Sequence, residues 1–256
     1  MMGSFAVGFG FQLRAMSKEP DTYQSLLAVP LVTIVLAAIV LNADRPDLVG
    51  HTVVAPTLIT LWNTTLTWSG EIISEDRENG RFESLVATPA SMPSLVFGRL
   101  CASTVLSLAA FVLAVLVVGL FFGQWVGIHH PLHFGMTLFC VALATAATGT
   151  ALSAVFVAAP GARIVQNSLG YPLFLLGGVM VPVAFYPAPL EILGRFVFLS
   201  WGADLMRDSL SAPGVENFLP RLFLVLLLGA CSYAVGRLFI TRFLRTAREQ
   251  GTLSHS

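Results

Sequence analysis

Apolar residues gather into six long runs with short polar interruptions between them: Ser25–Leu41, Val53–Glu71, Leu100–Phe122, Phe134–Ala159, Gln166–Tyr186 and Leu219–Ile240. Each comes near the roughly 20 residues that a helix needs to cross about 30 Å of hydrocarbon. Unbroken runs, rather than alternating positions, point to helices that satisfy their own backbone groups in lipid, not to the strands of a barrel. The expected fold is an all-α integral membrane protein, one domain over 1–256 with six transmembrane helices.

The segments between the runs carry their own signals. In 1–23, Phe5, Phe9, Leu13 and Met16 recur at helical spacing ahead of Arg14, Lys18 and Glu19, which suits a helix lying in the interface. Its basic residues follow the apolar stretch, so a cleaved leader is not expected. The connection 73–99 is the longest polar one. In 187–218, Pro187, Pro189 and Pro213 frame an amphipathic stretch, read as short re-entrant or interfacial helices on the outside between helices five and six. Ten of the 14 lysines and arginines fall on the side that holds both termini, and Arg45, Arg195, Arg207 and Arg221 fall on the other. That asymmetry places both termini in the cytoplasm.

Composition sharpens the picture. The 256 residues are 55% hydrophobic and only 11% charged, with a mean hydropathy of +0.79. A soluble surface needs about a quarter of its residues charged, so a soluble enzyme is excluded and the lipid bilayer is the expected surroundings. With 14 basic and 14 acidic residues, no basic field exists to attract nucleic acid. Lys18 is the single lysine and no GxxxxGK[ST] surrounds it; nucleotide chemistry, if any, belongs to another chain. GxSxG and HExxH are absent as well, so no catalytic residue and no bound cofactor are assigned. His129, His130 and His133 cluster in a short loop that suits either a metal or plain solvation; without a visible fourth ligand no metal site is assigned. Gly119, Gly123 and Gly127 form two GxxxG steps, which by default mean close helix packing.

Helix two carries Thr57, Thr60, Thr64, Thr67 and Glu71 on one face, with Asn63 beside it. Such a stripe is either the lining of a wet cavity or polar packing against a neighbour. Helix five presents Asn167, Tyr171 and Phe174 near one face, an aromatic wall. Gly177, Gly178 and Pro182 weaken its outer half, so that this end can bend or open.

The second connection reads Ser74-Glu-Asp-Arg-Glu-Asn-Gly80-Arg-Phe-Glu83-Ser-Leu85-Val-Ala-Thr88-Pro89. This resembles the type-2 ABC-transporter permease family, whose members carry an acidic run, a glycine, a glutamate–leucine pair and a threonine–proline here. Pro182 to Pro189, and then Phe198-Leu-Ser-Trp201-Gly-Ala-Asp204-Leu-Met-Arg207, look like the family's proline-rich end of helix five and its outside segment. Arg81 stands where a threonine is common, and Trp201 replaces an asparagine–proline pair.

The resemblance implies a cytoplasmic coupling helix in 73–99 that docks into a separate ATPase, with Glu75, Glu78, Gly80, Phe82, Glu83, Leu85 and Pro89 as its coupling residues. It implies two ATPase subunits, which hold the ATP and Mg, and a second permease, identical or paralogous. It also implies a bacterial cytoplasmic membrane and outward transport. Helices two and five would line the substrate path, through Thr57, Thr60, Asn63, Thr64, Thr67, Asn167, Tyr171 and Phe174. Pro182 and Phe185 would form the outside gate. A stand-alone ion-coupled transporter is the alternative, and Glu71 is the only ionisable group placed to serve it.

Overall fold

A computed structural model describes residues 2–17, 21–78, 91–158 and 162–250. All of its regular structure is helical: α1 Met2–Met16, α2 Asp21–Asn42, α3 Val54–Glu78, α4 Met92–Ser107, α5 Ala109–Phe122, α6 Pro131–Ala158, α7 Ala162–Leu176, α8 Ala188–Arg195, α9 Phe198–Leu210 and α10 Phe218–Gln250. Short 3-10 turns fill Pro46–Val53 and Val183–Phe185.

By length and apolarity, three of the described helices suffice to cross a membrane: Met92–Phe122, Pro131–Phe156 and Phe218–Phe243; Leu26–Asn42 is apolar but shorter. The first of these joins α4 to α5 through Leu108. There the hydroxyls of Ser103, Thr104 and Ser107 bond back to the carbonyls of Leu100, Cys101 and Ser103, the kind of competition that bends a helix. The expected third run began at Leu100, but the helix starts at Met92 with Pro93 in its first turn, where a missing N–H costs nothing.

The fifth run departs furthest from expectation. Instead of one helix over Gln166–Tyr186, α7 stops at Leu176. Val179 N–H bonds Phe174 O, and Gly178 N–H bonds Leu175 O, the paired bonds of a Schellman cap. Gly178 takes the left-handed position at φ +59°. The GxxxG reading of helix three also fails. Gly123 is the left-handed C-cap of α5, Gly119 packs under the Trp125 ring, and the chain from 123 to 128 is not helical.

Small residues set the closest approaches between helices. A Cβ on Gly229 would meet Ala144, and one on Gly236 would meet Ala151, so α10 and α6 lie side by side and parallel. Elsewhere α1 crosses α4 where Gly8 faces the Leu95 carbonyl and Gly98 faces the Phe5 carbonyl. Neither position has room for a side chain, because the obstacle is backbone. The central core gathers Leu58, Leu61 and Trp62 of α3, Val141 and Ala144 of α6, and Phe198, Leu199 and Met206 of α9. Helix α9 thus packs inside the bundle. Gly202 sits on Val141, and His130 N–H bonds Ser209 O at the start of α6.

Candidate functional site

A groove of about 1020 Å³ opens between α2, α3, α7 and the bend after α7. Helix α2 contributes Ala28 and Val32, and α3 contributes Ile59, Asn63, Leu66 and Thr67. Gln166, Gly170, Tyr171, Phe174 and Leu175 come from α7, and Met180, Val181 and Tyr186 from the bend. Two contacts fix how α3 and α7 face each other. Gln166 Oε1 lies 2.6 Å from where a Cβ on Gly70 would stand, and Asn63 Oδ1 lies 3.7 Å from where one on Gly170 would stand. The helices therefore run antiparallel.

Only part of the expected path lines this groove. Asn63, Thr67, Tyr171 and Phe174 do, Tyr171 with 81% of its surface exposed. Thr57, Thr60 and Thr64 do not: all three are buried in the bundle, and Thr57 returns its hydroxyl to Val53 O at 2.7 Å. At Thr57 this is polar packing, which a hydroxyl bonded to its own helix permits. The groove-facing stripe is one step round the helix. Glu71 is half-buried and engaged by another group. The side chain of Asn167 lies outside the described ones, although its position on α7 is given.

The expected outside gate sits at the bend. Pro182 opens the 3-10 turn, whose Phe185 N–H bonds back to its carbonyl, and the Phe185 ring is exposed. A clamp that sequence reading missed holds this bend. Arg207 of α9 donates through Nη2 to Gly178 O at 2.7 Å and to Val179 O at 2.6 Å. Burial pulls its pKa below the usual arginine value, while the neighbouring Asp204 carboxylate, 3.6 Å away, opposes that fall. Asp204 also accepts from Arg195 at 2.9 Å, Trp201 Nε1 donates to Arg195 O, and Arg221 pairs with Asp208. Sequence holds no signal for the clamp, since Arg207 and Gly178 are 29 residues apart.

Arg99, 1% exposed, joins three helices. Its Nε donates to Gln12 Oε1 at 2.8 Å, its Nη1 reaches Ile72 O at 3.4 Å, and its guanidinium lies over the Phe11 ring. Arg99 and Ile72 flank the connection whose coupling residues Gly80, Phe82, Glu83, Leu85 and Pro89 lie outside the described residues. Glu75 and Glu78 fall in the last turns of α3, their side chains outside the described ones. The histidine loop is tied to α9: His129 Nδ1–H donates to Leu210 O at 2.8 Å. The His133 ring meets Phe218 edge-on.

Compared with known families, residues 5–211 match the model described as ABC-2 type transporter. No curated protein matches the chain.

Proposed function

The chain belongs to the ABC-2 type transporter family, an integral membrane permease, and on that footing we propose that it is the membrane half of an ATP-driven exporter. The observation that carries the reading is the groove between α3 and α7. It is open, mostly apolar and closed at one end by a clamped bend, as half of a path shared with a second permease should be. In this reading six segments cross a bacterial cytoplasmic membrane, α7 with its bend counting as the fifth and both termini lying in the cytoplasm. The connection around Phe82 and Glu83 seats a separate ATPase, two copies per complex, which bind ATP and Mg.

Closure of the ATPases pulls on that connection. The displacement enters α3 and α4 together, because Arg99 on α4 holds Ile72 on α3. Packed helices respond as rigid bodies rather than by bending, so the two permeases rock and the groove changes which side it faces.

Purification of the tagged permease from its native membrane, followed by mass spectrometry and an ATPase assay, tests this. A stoichiometric ATPase, lost when Phe82 and Glu83 are both replaced by alanine, is the expected result. A lone chain without nucleotide hydrolysis overturns the proposal and favours ion coupling through Glu71.

A further inference from the structure

Polarity in the groove is sorted along its length. The contacts of Gln166 with Gly70 and of Asn63 with Gly170 set the levels of the two antiparallel helices. Thr67 and Gln166 stand at one end, Asn63 and Tyr171 in the middle, and Ile59 and Phe174 beyond them, next to Met180 and Val181. At about 1.5 Å per residue, the step from Thr67 to Ile59 is roughly 12 Å. The gradient therefore runs over the length of a small amphiphile.

Charge is missing from this surface. Among the described residues that line it, none is Asp, Glu, Lys, Arg or His. Tyr186 spends its hydroxyl on Leu175 O at 2.8 Å, so the far end offers a ring and not a donor. From the polar end to the middle, Gln166, Thr67 and Asn63 offer two carboxamides and a hydroxyl, each both donor and acceptor. An ionic head there would lose its hydration with no countercharge from the described lining residues in return. A neutral group that both donates and accepts would be matched.

Resting on the reading of this groove as the transport path, we propose that its ligand is a neutral amphiphile. An amide or hydroxyl head lies among Asn63, Thr67 and Gln166, and an apolar tail runs past Phe174 to Met180 and Val181.

The test is photolabelling of the purified full-length permease in neutral-lipid nanodiscs, with an oleamide carrying a diazirine near the end of its tail. Labelling is expected on peptides containing Phe174, Met180 or Val181. Unlabelled oleamide should compete about tenfold better than oleate or oleylamine, the worth of one good hydrogen bond. Asn63→Leu and Gln166→Leu should each weaken labelling by about that factor, with unchanged thermal midpoints as the folding control. Asn63→Asp should turn the preference towards oleylamine. Equal or better competition by either ion, labelling spread away from these peptides, or an Asn63→Asp variant with unaltered preference would each overturn the proposal.

The assay contains no ATPase, so the two readings fail separately. ATP-driven transport with no selectivity for the neutral probe sinks the ligand class alone. Selective labelling without any ATP-linked transport sinks the exporter and leaves the ligand class standing.

Discussion

A buried guanidinium is tolerated only where its donors are used, and Arg99 uses them to hold α1 and α3 against α4. Arg99→Ala would strand the Gln12 and Ile72 acceptors. Hydrogen bonds to charged groups contribute about 1.5–3 kcal/mol, so a loss of that order is expected in the thermal unfolding of the purified permease, followed by tryptophan fluorescence. Arg99→Lys should recover only part of it, since a lysine cannot reproduce the planar fork. Gly170 makes the complementary case at the groove. A methyl there would meet Asn63 Oδ1 and Phe174 at 3.7 and 3.8 Å, ordinary contact distances. Gly170→Ala should therefore transport normally, whereas Gly170→Phe should fill the groove and abolish transport.

Residue by residue, the sequence made some of this readable and hid the rest. A threonine stripe on α3 looks wet, yet a hydroxyl can bond within its own helix and be buried dry, as Thr57 is. Asn63 cannot satisfy a carboxamide that way, and with Thr67 it faces the groove. The arginine pattern gave no sign of partners, because the bonds of Arg99 to Gln12 and of Arg207 to Gly178 cross long stretches of chain.

Among elements, the bend after α7 depends on two supports. Gly178 alone fits the left-handed cap without strain, which costs other residues about 1–2 kcal/mol, and a Cβ there would also strike Val183. Arg207 satisfies the carbonyls of Gly178 and Val179. Gly178→Ala and Arg207→Met should both raise amide hydrogen exchange over 177–186 and leave exchange in α6 unchanged. Long helices such as α6 were legible from apolar length. The fifth run was not, because its glycines and Pro182 are hydrophobic enough in company to extend the run, while the backbone they specify ends the helix. The course of α9 was visible only as amphipathicity, and its place inside the bundle comes from packing on Val141 and Trp62.

For the whole molecule, the seam between α6 and α10 sets how the bundle closes. Gly236→Leu should separate the two helices and lower stability by about 1–3 kcal/mol, the usual cost of overpacking. The same seam also counts crossings. Since α6 and α10 are parallel neighbours, Ala158 and Phe218 stand at opposite ends of the bundle, and the chain between them must make an odd number of net traverses. That parity falls to α7 with its bend, too short a helix to be recognised by length alone. Cysteines introduced one at a time near Ala162 and near Gly214 should accordingly react with an impermeant thiol reagent from opposite sides of a sealed vesicle.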